Sequence, residues 1–218
     1  MKIFKFESGD SSKFAYAYGY RPFEGMAFEG EFSVTLKESR RAFAAANPGP
    51  PGLQVGDTGS IWPDLMYLGD PPPSFVFSRK ILNSLGFHGI SLKRTTSIPI
   101  GSVASKKLRD VPPPDYFVIE ALPGIRVDYA ASGYVVDADG NPGRNAPRVL
   151  PPPILQYDPT TWSGADLFCQ DNGHGGPRYL DLLFTERVKE IAIKDGWTNV
   201  SFQRVRVKGV NPITGRPD

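Results

Sequence analysis

An α+β fold is expected from the sequence: mostly antiparallel sheets with a few short helices, containing two similar strand-helix-strand units. Three observations carry that expectation. Apolar residues recur at period two in many short runs, which is the spacing of half-buried strands. Twenty-three glycines and twenty-two prolines in 218 residues force frequent turns, so long helices are few. Finally, "FVFSRKILNSLGFHGISL" at residues 75–92 is echoed by "LLFTERVKEIAIKDGWTNVSF" at residues 182–202.

The elements follow in order. "MKIFKF" is a first strand, and "FAYAYGY" a second, with Phe14, Tyr16, Tyr18 and Tyr20 on one face and small residues on the other. Aromatic ladders of this kind usually pack under a helix or pair across strands, so a core role comes ahead of a ligand or partner role. "MAFEGEFSVTL" alternates again. "KESRRAFAAAN" reads as an alanine-rich helix stopped by "NPGPPG", closing a strand-rich part over residues 1–47. Residues 48–73 are loop-dominated, with "IWPDLMYLG" as an apolar island holding one helical turn. "TTSIPIGSVASKKLRD" has no sustained period, whereas "DYFVIEAL" is a buried strand. The run from Ile125 to Leu150 reads as a meander turning at "DADGN". Three Pro triplets (Pro71–Pro73, Pro112–Pro114, Pro151–Pro153) each precede an apolar segment and serve as rigid lead-ins to strands. One domain spans residues 1–205, and residues 206–218 are a flexible tail.

In the first copy of the repeated unit Ser78 caps a helix whose inner face carries Ile81, Leu82 and Leu85, and Gly86 is its left-handed stop. In the second copy Thr185 caps, Val188, Ile191 and Ala192 face inward, and Gly196 stops a helix three residues longer. Return strands then carry Ile90 and Leu92 in one copy, Val200 and Phe202 in the other. Glu186 and Lys194 suit the dipole of the second helix, with Glu190 and Lys194 at favourable spacing. Arg79 and Lys80 oppose the dipole of the first, at a cost of about 0.5 kcal/mol. Surface tolerance is the first explanation, and acidic groups of the same chain or of a partner the second.

Chemistry is limited by composition. Twenty-five basic and 23 acidic residues, interspersed, leave a net charge of +2 and no strong field. Nucleic-acid binding would rest on the basic stretch from Arg204, which reads more simply as a last strand and a fraying tail. The opening residues alternate apolar with charged and are not read as a signal peptide, and no apolar run is long enough to span a bilayer. A lone cysteine, Cys169, fits a reducing cytoplasm and forbids an internal disulfide. Only His88 and His174 are present, and neither sits among residues with metal-ligand spacing. "DADGN" lacks the later Glu of a calcium loop and reads as a turn. A small enzyme using Cys169 or His174 of the "CQDNGHGG" loop is the alternative reading, but no phosphate-binding, nucleophile-elbow or zinc-protease motif supports it.

Three stretches, "FVFSRKILNSLGFHGI", "TTWSGADLF" and "LLFTERVKEIAIKDGWTNVSF", resemble bacterial immunity proteins of the swarm-inhibition and polymorphic-toxin type, including the double-CXXCG motif family and its relatives. The resemblance runs from Trp62 to Phe202, with Trp162, Gly164, Asp166, Leu167 and Phe168 matching a Trp-x-Gly-x-Asp-Leu-Phe segment ahead of the helix. This chain has no CXXCG motif, so any zinc role of those cysteines has no counterpart here. The resemblance implies a cytoplasmic, non-enzymatic protein, without cofactor or metal, that binds a cognate protein toxin and blocks its functional surface. Tyr16, Tyr18, Tyr20 and Trp197 are the candidate anchors, each with a core role that comes first. Near-neutral charge weighs against mimicry of DNA.

Overall fold

The structure is a computed structural model, which describes residues 1–8, 12–21, 45, 49–68, 75–138, 140, 154–171 and 182–209, with the backbone alone at 8 and 18–21. Among these residues lie fourteen strands: β1 (Ile3–Ser8), β2 (Ala17–Arg21), β3 (Gly52–Val55), β4 (Leu65–Tyr67), β5 (Phe75–Ser78), β6 (Arg94–Ile98), β7 (Ile100–Val103), β8 (Tyr116–Glu120), β9 (Pro123–Val127), β10 (Gln156–Asp158), β11 (Leu167–Asp171), β12 (Leu182–Thr185), β13 (Val200–Arg204) and β14 (Arg206–Val207). Two α-helices accompany them, α1 (Arg79–Phe87) and α2 (Glu186–Lys194). The strands form a seven-stranded sheet in the order β13-β1-β12-β11-β9-β10-β14, a four-stranded sheet β4-β5-β8-β6 and a three-stranded sheet β2-β3-β7.

This overturns the α+β expectation. The described residues are mostly β, and the large sheet is mixed, with β9 parallel to β11 and β10 parallel to β14. Its two edge strands, β13 and β14, are consecutive in the chain with only Val205 between them, so the sheet curls round until its edges nearly meet in a barrel. Strand-helix-strand units are overturned with it. β1 lies between β12 and β13, and β8 between β5 and β6, so neither helix joins neighbouring strands. Ile90 and Leu92 precede β6 rather than forming it. Period two reports which face a residue lies on; it carries no information on which strand sits alongside.

Local expectations fail for similar reasons. The apolar island "IWPDLMYLG" contains β4, not a helical turn, and the stretch without a period contains β6 and β7, half-exposed strands rich in β-branched residues. After β9, residues 128–134 make turns, with the Ser132 and Tyr134 amides donating to the carbonyls of Asp128 and Tyr129, and most of the second half of the expected meander, residues 139 and 141–150, lies outside the described residues. The expected helix over 37–47 and the Pro triplets at 71–73 and 151–153 lie outside the described residues, apart from Ala45.

Alternation does sort the core into layers. Along β1, β11 and β12, the residues Phe4, Phe6, Leu167, Cys169, Leu182 and Phe184 face the helices, whereas Ile3, Phe168 and Leu183 fill the barrel. Gly124 gives Phe168 its room, since a Cβ there would lie 2.4 Å from the Phe168 Cβ. The four-stranded sheet likewise offers Leu65, Phe77 and Ile119 to the helices, and Met66, Val76, Tyr116 and Val118 to the three-stranded sheet. Phe6 joins the layers, its ring tilted against Phe184 at 4.2 Å and edge-on to Phe77 at 5.5 Å, ring centre to ring centre.

The two helices are locked in matching ways. Ser78 and Thr185 occupy the N-cap positions, yet neither hydroxyl caps its helix. Ser78 Oγ donates instead to Asp64 Oδ1 at 3.0 Å, and Lys80 Nζ donates to Asp64 Oδ2 at 2.8 Å. Thr185 Oγ1 donates to Asp166 Oδ1 at 2.6 Å, and Arg187 donates to Asp166 Oδ2 at 2.7 Å. The Ser78 and Thr185 amides both donate to the carbonyl of their aspartate, at 2.7 and 2.9 Å. Each cation also reaches across to the end of the other helix, Lys80 to the Gly196 carbonyl and Arg187 to the His88 carbonyl. There a positive charge is favourable, which offsets its place at its own helix start. Arg79 pairs with Asp115 at 3.2 Å, so the opposing charges of the first helix meet acids of the same chain.

The stops correspond as well. Gly89 and Gly196 both have positive φ, 70° and 61°, whereas Gly86 lies inside α1. Both helices have nine residues, and the expected stop at Gly86 and three-residue difference disappear. A six-to-one bond closes each end, Ile90 N–H to the Leu85 carbonyl and Trp197 N–H to the Ala192 carbonyl.

Asp64 is the most enclosed of these acids, with its side chain 14% exposed. Burial pushes its carboxyl up, but hydrogen bonds from Lys80, the Thr198 amide and Ser78 outweigh burial and leave it below the ordinary value. Replacing Asp64 by Ala removes the acceptor of four hydrogen bonds, from Ser78, Lys80 and the amide and hydroxyl of Thr198, and is expected to cost about 2–4 kcal/mol in urea denaturation. A depressed folded pKa stabilises fully above the unfolded value near 3.9 and loses that stabilisation as pH falls through the folded value. Asp64→Asn is therefore expected to flatten the acid limb of stability against pH, measured from about pH 6 to about pH 2.

Candidate functional site

The period-two aromatic strand orients opposite to the expected way. Ala15 and Ala17 are buried, at 1% and 0% exposure, in the core between the three- and four-stranded sheets. Tyr16 therefore faces outward, 38% exposed. Size would favour burying the tyrosine, but β3, β4 and β5 already fill this layer with Leu53, Val55, Met66, Leu68 and Val76, and small side chains allow the strand to close on them.

Two parallel bridges build a surface around Tyr16. Phe14 is bridged to Ile61, and Ala17 to Leu68. Because bridged residues share a face and successive residues alternate, the second bridge sets Tyr67 beside Tyr16 on the side away from the core. Ile61 is 46% and Tyr67 43% exposed, and Phe14 is half-buried. Tyr67 packs its ring edge-on against Phe75 at 5.8 Å. Beneath Tyr16 lies Gly56, whose amide donates to the Tyr16 carbonyl at 3.0 Å, and a Cβ there would come within 2.5 Å of the Tyr16 ring. The result is a set of large apolar groups turned outward on paired backbone, the kind of side chain enriched at the centre of protein interfaces.

The other expected anchors divide. The backbone of Tyr18 and Tyr20 continues along β2, and their side chains lie outside the described residues. Trp197 is 8% exposed within the helix core, and its Nε1 donates to Ser84 Oγ at 3.1 Å. It anchors helix to helix, which removes it from the surface. Ile61 and Tyr67 were missed because each belongs to a segment taken for a loop; Ile61 and Tyr67 inside "IWPDLMYLG" were the available signal.

The residues of the alternative readings are placed as follows. Cys169 is 1% exposed in the middle of the large sheet, its thiol 3.6 Å from the Ala121 carbonyl. Such a thiol reaches no substrate. His174 lies outside the described residues. His88 sits 3.3 Å from Asp195, whose carboxyl is held low by a hydrogen bond from Ser84 and by His88. In "DADGN" the Gly140 amide donates to the Asp137 carbonyl, closing a turn. Among the described residues no group of three or more His, Cys, Asp or Glu could hold a metal ion. The basic stretch divides too: Arg204 ends β13, Arg206 opens β14, and Lys208 pairs with Asp128 at 2.7 Å, so ordered structure continues past residue 205. No described helix is long and apolar enough to cross a membrane, a statement that does not bear on strands.

The segment that carried the family resemblance builds the entry to β11 and α2. Trp162 donates to the Ala165 carbonyl, Gly164 takes a φ of +86°, Asp166 locks the helix start, Leu167 enters the helix core and Phe168 the barrel. Compared with protein-family models, with curated proteins and with solved structures, the chain matches none.

Burial of Cys169 has a direct readout. In the native protein the thiol is expected to resist a disulfide exchange reagent such as dithionitrobenzoate, and to react fully once the chain is unfolded in guanidinium; rapid native labelling would contradict the placement.

Proposed function

We propose that the chain is an immunity protein that binds a cognate bacterial toxin in the cytoplasm and occludes its functional surface. The observation that carries this reading is the outward row Phe14, Tyr16, Ile61 and Tyr67 on the face opposite the buried Ala15 and Ala17. Aromatic side chains with few rotatable bonds, held by paired backbone, lose little entropy on docking and supply most of the energy at protein interfaces. The stretches that resemble immunity proteins support it from the other side, by suggesting the kind of partner. Their residues serve the helix locks, so the contact falls on a different part of the molecule from the motif.

Occlusion asks only for a rigid complementary surface, and a near-neutral chain suits a partner recognised through apolar contact more than through charge. The nucleophile of the alternative enzyme reading, Cys169, is enclosed by sheet and core. The toxin reading is tested by co-expressing the chain with the product of an adjacent reading frame. A one-to-one complex on size exclusion and protection of growth are expected; toxicity unrelieved by the chain, with no complex, would refute the reading. Replacing Tyr16 and Tyr67 together by Ala is expected to weaken that complex by at least about tenfold, while thermal unfolding changes little. Gly56→Ala should weaken it as well, since the added methyl must displace the Tyr16 ring.

A further inference from the structure

The seam of the barrel is open, and its lining has a definite chemistry. Among the described residues β13 is paired with β1 alone, and β14 with β10 alone. The parallel ladder between β10 and β14 begins at Gln156 opposite Arg206. Carried one and two residues back, that register would set Leu155 beside Val205 and Ile154 beside Arg204. The ladder does not extend that far, and a cavity of about 480 Å³ is lined there by Ile154, Leu155, Arg204 and Val205. That volume falls within the roughly 300–1,000 Å³ of small-molecule sites.

Ile154, Leu155, Tyr157 and Val205 supply the apolar part of its wall. The polar part comes from Lys5 on β1, Gln203 and Arg204 on β13, and Arg206 on β14. No acid lines it. Arg204 is partly engaged elsewhere, since it helps to hold down the carboxyl of Glu186, behind the larger effect of Lys2. Lys5, on β1 next to the edge strand β13, and Arg206, on the other edge strand β14, are both exposed, so a negative group between them meets two cations. Ile154 stands 60% exposed at the same opening, an apolar group of this size left uncovered beside two cations.

From this arrangement we propose that the barrel seam binds a small organic anion with an apolar body, its carboxylate or similar head group held between Lys5 and Arg206 and its apolar part laid against Ile154, Leu155 and Tyr157. The site is separate from the Tyr16 surface and does not rest on the toxin reading. Tight binding would tie together the two edges that the fold leaves apart, and so would stabilise the barrel by mass action.

The test uses the full chain, anilinonaphthalene sulfonate as a fluorescent anion, and decanoate and decanol as competitors with one tail and different heads. Saturable one-to-one enhancement is expected, displaced by decanoate and not by decanol at equal concentration, and weakened by added salt. Lys5→Gln combined with Arg206→Gln should weaken the probe by about tenfold or more. Ile154→Asp, at an exposed position that unfolding cannot explain, should do the same by placing an acid at the mouth. Circular dichroism and the thermal midpoint verify that each variant is folded. Absence of saturable binding, displacement by decanol as good as by decanoate, or variants that bind like the parent would overturn the proposal.

Discussion

Two aspartates hold the molecule together. Asp64 and Asp166 each accept the hydroxyl of a helix N-cap residue and the cation two residues later, and that cation then reaches the carbonyl end of the opposite helix. Each lock therefore joins three elements: a strand entry, a helix start and the other helix's end. Because the aspartates directly precede β4 and β11, the same contacts fix where these strands enter their two sheets. The helix core, with Phe6 between Phe77 and Phe184, is assembled between those fixed points. Nonpolar packing supplies most of the energy there but is indifferent to direction, and the locks add hydrogen bonds of defined geometry.

The same economy explains why a helix start that opposes its own dipole is tolerated. Lys80 and Arg187 lose a little at their own helices and gain at the neighbour's C-terminal carbonyls. The correspondence runs residue for residue from Ser78 to Ile90 and from Thr185 to Trp197, including the positive-φ glycines and the closing six-to-one bonds. What surrounds the helices differs. One sheet is a four-stranded layer with a neighbour on its other face, and the other extends to seven strands and curls until β13 and β14 nearly close it.

This geometry divides the surface. The side of the molecule that carries the helix locks uses the residues that look most distinctive in the sequence, and uses them for support. The surfaces proposed for binding are the outward aromatic groups around Tyr16, whose orientation is inverted relative to side-chain size, and a seam whose lining comes from β1, β13, β14 and the approach to β10. Trp197 illustrates the exchange: an anchor by residue type, it serves the helix interface through Ser84, while the unremarked Tyr67 stands on the surface.

By itself the sequence determined the local matters: the period-two strands, the positions of both helices, Ser78 and Thr185 at their starts, Gly196 at one stop, and the apolar residues that face inward from each helix. These depend on neighbours a few positions away, and the physics that sets them is local sterics and hydrogen bonding. Pairing was decided only in the tertiary structure, because a strand's alternation names its faces and leaves its partners open. So β1 and β8 separate strands that the sequence seemed to place side by side, β9 and β10 run parallel to strands far along the chain, and β13 and β14 take opposite edges of one sheet. The direction of the Tyr16 face was decided there too, since it depended on how much space the other sheets left over Ala15 and Ala17. Length, charge and composition bounded the protein; the filling of volume and the closing of a sheet made it this one.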